Sequence, residues 1–328
     1  MTIKEFDMTE TIAVVGATGI QGGGLVRAIL ADPARRFAVR AITRNPNGAA
    51  AQKLADAGAE VVAADLDDED SLRKAFDGVY GAYVVTNYFA ERTEAEVAAR
   101  SAADMELEQA GNAARAARDA DVRHVIWSTL EDTRPHFGDT DRVPTLDDGR
   151  YKVPHFDAKS EADDLFRQAG VPTTFLRTTF YYENLVDSLG PARDADGHLV
   201  LTLPMGDSPI NAIAVEDIGR TALGIFGRGE EFIGRTVAIA GQALTGAELA
   251  ATMSDVLGEP VTYAPHDWDA FRSFGFEGAA EFGNMFQYYA ENHEQFTRDR
   301  DLDLVRELNP QLQSFREWFT EHHTELAR

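Results

Sequence analysis

The run TIAVVGATGIQGGG, residues 11–24, constrains the fold more than any other stretch: an apolar strand pattern ends in glycines and a helical pattern begins at once. Each glycine suits a separate job in such a turn. Gly16 permits a sharp exit from the strand, Gly19 lets backbone approach a pyrophosphate, and Gly22 lets the following helix pack close to the sheet. That helix aims its first amides and the positive end of its dipole at the phosphates. Glycines also serve ordinary tight turns. Here residues 12–15 and 25–30 supply the strand and the helix that a dinucleotide site requires on either side.

The rest of the chain repeats this alternation. FAVRAIT, residues 37–43, reads as a second strand, and a polar turn with Pro46 and Gly48 leads to a helix over 49–57 that Gly58 ends. Strand three spans 60–64 and stops at Asp65; a short helix over 71–76 closes at Gly78, and strand four spans 80–86. An alanine-rich segment, 93–120, predicts one long helix before strand five at 124–128. Residues 131–154 hold Pro135, Gly138, Pro144 and Gly149 among many acids and read as a long surface loop. Phe156, Ala162, Leu165, Phe166 and Ala169 recur at helical spacing ahead of strand six, 173–177. A helix over 215–226 precedes a strand at 236–240, and from Gly241 onward the pattern is helical, including 246–257, 279–290 and 309–326.

Short apolar strands alternating with helices predict an α/β fold: a Rossmann-type doubly wound parallel sheet with a smaller, mostly helical C-terminal domain. The division expected is a tail over 1–10, a dinucleotide-binding domain over 11–182 plus 209–241, and a smaller domain over 183–208 plus 242–328. The C-terminal third then caps the carboxyl edge of the sheet, where open α/β sheets bind ligands.

Charge excludes several function classes. The 328 residues carry 55 acids against 31 bases, a net charge of −24, and only five lysines: Lys4, Lys53, Lys74, Lys152 and Lys159. Phosphate backbones and anionic membranes need clustered cations, so neither nucleic acid nor a membrane surface is an expected partner. The acid excess reads equally as adaptation to a salt-rich cytosol and as the composition of an ordinary acidic protein. No run of about 18 apolar residues occurs and the first ten residues are acidic, so a cytoplasmic location is expected. The absence of cysteine removes disulfides, thiolate metal sites and cysteine nucleophiles.

Cofactor choice turns on the end of strand two. Sites specific for NAD hold the ribose 2′-hydroxyl with an acid about 20 residues after the glycines, whereas a 2′-phosphate needs a cation. The strand here ends Thr43, Arg44, Asn45, so Arg44 can fork onto a phosphate, and NADP(H) is expected ahead of NAD(H). The competing reading is a solvated surface arginine. Asp65 can reach an adenine or serve as a plain turn residue.

Together with GATGIQG at 16–22, the motifs TRNP at 43–46, TNYF at 86–89, STLEDT at 128–133, HFDAK at 155–159, FYYENL at 180–185 and NPQLQSFREWF at 309–319 resemble the NmrA-like family of atypical short-chain dehydrogenase relatives, often described as redox sensors. The resemblance implies an extended Rossmann domain that binds NADP(H). It carries over a cofactor set of Gly16, Ala17, Thr18, Gly19, Ile20, Gln21, Gly22, Arg44, Asp65, Thr86, Asn87, Tyr88 and Lys159, with Tyr181, Tyr182, Glu183 and Asn184. Where family members often carry Gln-Gly-Lys, this chain has Gln109, Ala110, Gly111 and lacks the lysine.

Short-chain dehydrogenases place a tyrosine four residues before a lysine, and here Lys159 holds the lysine position while His155 holds that of the tyrosine. Both are candidate catalytic residues. Histidine can act as a general acid; it can equally be a helix-start residue bonded to the loop. Lys159 suits a ribose, with a pair to Asp163 at i+4 as its alternative. Phe180, Tyr181 and Tyr182 can wall a nicotinamide pocket or pack in the core. Gly206, Asp207 and Ser208 lack the glycine of a nucleophile elbow. Asp65, Asp67 and Glu69 fail as a calcium loop because Asp70 and Phe76 stand at its glycine and glutamate positions. His322 and His323 are adjacent and cannot share a helix face, so no metal site is expected. The leading expectation is a cofactor-binding redox sensor acting through a regulatory protein partner. The alternative is an NADPH-dependent reductase of a quinone, carbonyl or related small-molecule substrate.

Overall fold

The computed structural model describes residues 9–326. Most of the expected N-terminal tail therefore lies outside the described residues. The chain runs β1 (Glu10–Val14), α1 (Ile20–Ala31), β2 (Phe37–Thr43), α2 (Ala49–Asp56), β3 (Glu60–Ala63), α3 (Glu69–Phe76) and β4 (Gly81–Val84). Next come α4 (Glu94–Ala99), α5 (Ala102–Asp119), β5 (His124–Thr129), α6 (Arg134–Phe137), α7 (Pro154–Ala169) and β6 (Thr173–Arg177). The remainder is β7 (Phe180–Tyr181), β8 (Ala192–Arg193), β9 (Leu199–Leu201), β10 (Ile210–Ile213), α8 (Val215–Gly227), β11 (Thr236–Ala238), β12 (Gln242–Leu244), α9 (Gly246–Leu257), β13 (Val261–Tyr263), α10 (Trp268–Arg272), α11 (Ala279–Glu291), α12 (His293–Arg298), α13 (Leu302–Leu308) and α14 (Phe315–His322).

A seven-stranded parallel sheet in the order β11-β6-β5-β4-β1-β2-β3 forms the centre. The order reverses between β1 and β4, the switch point at which such sheets leave a crevice beyond their carboxyl ends. Because strand side chains alternate faces, Ile12 and Val14 join one buried cluster with α1 and α8, while Ala13 and Val15 join another with α3, α5 and α7. Helices on both faces therefore follow from strands that are apolar on both faces. α1 and α8 cross at glycine: a Cβ on Gly219 would stand 2.4 Å from the carbonyl carbon of Gly24. The third cluster holds Tyr182, Leu201, Met285, Phe286, Phe315 and Trp318 of the C-terminal region.

Four expectations change. The helix over 93–120 is two helices, because Thr93 with Glu96 and Ser101 with Asp104 form reciprocal capping boxes that start each one afresh. The loop over 131–154 contains α6 and is tied down by the buried Asp157: Oδ1 accepts from Thr133 N and Oγ1 at 2.8 Å each, and Oδ2 accepts from Lys152 N at 2.8 Å and Val153 N at 3.0 Å. The region after Gly241 is not helical throughout, since β12 and β13 are strands. Finally, β7 and β10, expected within the large domain, pair in a small sheet β12-β10-β7, and β13-β9-β8 makes another.

Candidate functional site

The turn after β1 has the shape an anion cradle needs. Gly16 sits at φ +66°, and a Cβ on Gly22 would lie 2.4 Å from the carbonyl oxygen of Gly16, so neither position tolerates a side chain without a shift. Gly19 N donates to Gly16 O at 2.8 Å and begins α1 with no side-chain cap, leaving the first amides of α1 for an incoming anion. Ala17 is buried beneath the turn while Thr18, Gly19 and Ile20 face out, Ile20 with 61% exposure. Gln21 turns inward instead. Its Oε1 accepts from Tyr83 OH at 2.7 Å and Ser128 Oγ at 2.8 Å, and its Nε2 donates to Tyr181 OH at 2.5 Å. Gln21 and Tyr181 thus brace the turn against β4, β5 and β7.

A groove of about 240 Å³ opens beside the turn, lined by Gly16, Thr18, Gly19, Arg44, Asp65 and Asn87 together with Gln109 from α5. Arg44 is exposed, and no hydrogen bond or ion pair engages its guanidinium among the described residues. Asp65 is half-buried, with Oδ1 accepting from Asp67 N at 3.1 Å. Asn87 Oδ1 accepts from Phe89 N at 3.2 Å, shaping the loop after β4. Gly111 sits buried within α5, where the family lysine is missing.

Lys159 is held at the root of that loop. Its Nζ donates to Thr86 Oγ1 at 2.7 Å, to Thr86 O at 3.2 Å and to Glu106 Oε1 at 2.6 Å, and it lies 5.2 Å from the Trp127 ring centroid. Thr86 also donates to Glu106, whose side chain is fully buried and whose Oε2 has no partner among the described residues. The alternative pair with Asp163 does not form: Lys159 Nζ is engaged by Thr86 and Glu106, and Asp163 accepts from Trp127 Nε1 at 3.0 Å.

His155 stands at the start of α7, one turn before Lys159. Glu281 Oε1, from α11, accepts from His155 N at 2.8 Å and lies 2.5 Å from His155 Nδ1. Tyr88 and Phe89 flank the imidazole at centroid distances of 5.9 and 5.1 Å. A second cavity, about 420 Å³, is lined by Tyr88, Pro154, Arg272, Phe274, Phe276 and Glu281. Burial and the nearby Glu281 charge hold the Tyr88 phenol protonated, with its pKa well above the ordinary value.

Two members of the expected cofactor set lie elsewhere. The Tyr182 ring is wholly buried against Phe315 at 5.2 Å and Trp318 at 5.6 Å, because β7 passes into the C-terminal core rather than along the groove. Glu183 Oε1 accepts from Val215 N at 3.0 Å and so caps α8, and burial raises its carboxyl. Asn184 is half-buried in the turn that follows β7. Phe180 packs on Phe286 in the C-terminal core. At another surface turn Asp194, Asp196 and His198 gather, and the Asp194 carboxylate there accepts the amides of Asp196 and His198 at 3.0 and 2.8 Å.

Sequence reasoning gave no role to Glu106, Gln109, Glu281 and Phe89. A signal existed for two of them: Glu106 falls on the stripe Ala103, Ala110, Ala113, Ala117 that α5 buries, and Glu281 falls on that of Met285 and Tyr288 in α11. An acid at a buried helical position needs a partner. Nothing local announces that the partners are Lys159 and His155.

A glycine turn at the switch point of a doubly wound sheet, with an exposed cation beyond strand two, defines a Rossmann-type α/β protein of oxidoreductase-like build. A profile of the NmrA-like family matches residues 8–319, and the chain belongs to that family. It is 29% identical over 299 residues to the NmrA-like family domain-containing oxidoreductase FrzB of a Cladobotryum species, covering 86% of this chain and 84% of that one. Among solved structures, the negative transcriptional regulator NmrA in complex with NADP superposes with a TM-score of 0.75 at 23% identity over 95% of each chain. The triphenylmethane reductase of a Citrobacter species superposes with a TM-score of 0.71 at 23% identity, over 96% of this chain and 99% of the other. Both likenesses establish the fold. Among the described residues no helix is long and apolar enough to cross a membrane.

Proposed function

We propose that the protein is an NADP(H)-dependent reductase of a small organic acceptor, a quinone or carbonyl compound. The observation that carries this reading is the loop after β4. Asn87 lines the groove beside the glycine turn, its neighbour Tyr88 lines a second cavity large enough for a small organic molecule, and Lys159 anchors the loop at Thr86 between them. A regulator that reports cofactor occupancy needs no second cavity. Several relatives matched in sequence also bear the name oxidoreductase, so the sensor reading expected from the loss of tyrosine yields to the reductase.

The residues fit the cofactor. Gly16 to Gly22 and the first amides of α1 would take the pyrophosphate, Arg44 the 2′-phosphate, Asp65 and Asn87 the adenosine side, and Lys159 the nicotinamide ribose. When bound, a dihydronicotinamide supplies a hydride. The chain's own part is to orient it, to seat the acceptor, and to provide a proton.

Calorimetric titration tests the cofactor half. NADPH should bind about 10- to 100-fold more tightly than NADH, and Arg44→Ala should erase that preference, the size expected for one charge-assisted contact. Equal affinities in the wild type would refute the assignment to NADP. Steady-state NADPH oxidation across quinones and carbonyls tests the reductase half, and binding without turnover on any of them would return the sensor reading.

A further inference from the structure

The His155–Glu281 pair joins α7 to α11 beside the second cavity. His155 belongs to the first turn of α7, and Glu281 to the first turn of α11. One carboxylate oxygen receives both the backbone amide and Nδ1 of the same residue, at 2.8 and 2.5 Å, and Glu281 is only 7% exposed. A contact so short and so shielded fixes the ring's orientation and the nitrogen that carries the shared proton. Nε2 has no protein partner among the described residues and is not among the fully buried unpaired atoms. It is therefore the nitrogen left free for a ligand.

The rings beside the imidazole are aromatic and partly exposed. Phe89, 53% exposed, stacks on Phe282 with centroids 5.5 Å apart and planes 18° apart, and Phe282 lies 6.0 Å from the imidazole. Phe276, 45% exposed, lies 6.3 Å from Phe282 and lines the neighbouring second cavity with Phe274. Exposed phenylalanines gathered at one cavity offer flat apolar faces and no polar recognition of their own.

We propose that His155 is the proton donor of the reaction and Glu281 its positioning residue, acting on the oxygen of a flat aromatic ketone or quinone seated among Phe89, Phe276 and Phe282. The proposal rests on the reductase reading. The acceptor gains a hydride, whose electron pair reduces it by two electrons and leaves the nicotinamide oxidised. For a ketone, the carbonyl π pair moves to oxygen, an O–H bond forms there, and the Nε2–H bond of the charged imidazole breaks. A ketone so becomes an alcohol and a quinone a hydroquinone, and water at the open cavity returns a proton to Nε2. Glu281 keeps Nδ1 protonated throughout, so the ring delivers its proton from one nitrogen only.

Two acceptors separate this role from a structural one. 9,10-Phenanthrenequinone needs a hydride and a proton; a cationic triarylmethane dye needs a hydride alone, because its central carbon is already positive. With NADPH saturating, His155→Phe should lower the ratio of quinone to dye turnover at least 100-fold and Glu281→Gln at least 10-fold, in kcat rather than KM, within the 10²- to 10⁴-fold range of general acids. Long-range ¹H–¹⁵N spectra give a readout independent of turnover: the neutral His155 ring should be a single Nδ1–H tautomer in the wild type and a mixture in Glu281→Gln. An equal loss on both acceptors, or a quinone rate untouched in either variant, would overturn the donor role while leaving the reductase standing. A wild type that binds NADPH and reduces neither acceptor would overturn the reductase reading, and the donor role with it.

Discussion

Asp163 faces the core from α7, 2% exposed, and accepts from the Trp127 indole. Burial pushes its carboxyl from an ordinary 3.8 up to about 6, against the smaller opposing pull of Arg167 and Arg177. A raised folded value means that the native state keeps the proton between pH 4 and 6 while the unfolded chain has released it. The stability this group contributes is thus full below about pH 4 and is lost as the pH rises through 6. Asparagine retains an oxygen for Trp127 and has no charge to bury. Asp163→Asn should match the wild type near pH 3 and exceed it at pH 8 by up to about 3 kcal/mol, at 1.36 kcal/mol per unit. Urea unfolding at both pH values measures the difference, and a gap that does not widen with pH would show that Asp163 carries no burial penalty.

At the scale of elements, the position of α1 depends on the surface it lies against. A Cβ on Gly219 would stand 2.4 Å from both Gly24 C and Leu25 N, atoms of a helix backbone that cannot swing aside. The two helices would have to part, and overpacking of that kind costs about 1 to 3 kcal/mol. Gly227, on the same helix, presents a different obstacle: its Cβ would meet the Arg36 guanidinium, the far end of a half-exposed side chain. Gly219→Ala should lower the melting temperature by several degrees, whereas Gly227→Ala should leave it level or raise it, since alanine favours a helix by about 1 kcal/mol over glycine. Similar losses in the two variants would show that backbone proximity does not decide the cost.

For the whole molecule, the net charge of −24 sets the response to salt. Arginine pairs with acids across the surface, as Arg100 does with Asp67 at 2.7 Å and Arg193 with Glu259 at 2.7 Å, and salt weakens such pairs. Exposed pairs contribute little each, about 0 to 1 kcal/mol. The 24 acids in excess repel one another over longer distances, and the Debye length falls from about 10 Å at 0.1 M salt to about 3 Å at 1 M. Relief of repulsion therefore exceeds loss of pairing, and the melting temperature should rise from low salt to molar potassium chloride. A flat or falling curve in a thermal melt series would mean that the ion pairs dominate.

Local pattern was enough for the sheet and the glycine turn, because strand periodicity and left-handed backbone are written within a few residues of where they act. Strand β6 and helix α9 have the expected boundaries, 173–177 and 246–257, for the same reason. Short strands such as β7 and β12 left no such mark, since two or three residues acquire strand geometry only from the neighbour they pair with. Tyr182 and Glu183 share their motif with Tyr181, yet which of the three faces the turn depends on how β7 enters the second sheet. The partners of Lys159 and His155 are 53 and 126 residues away in the chain, Glu106 and Glu281. Only packing could choose them: burial makes an unpaired charge costly, and the fold alone determines which opposite group is near enough to relieve it.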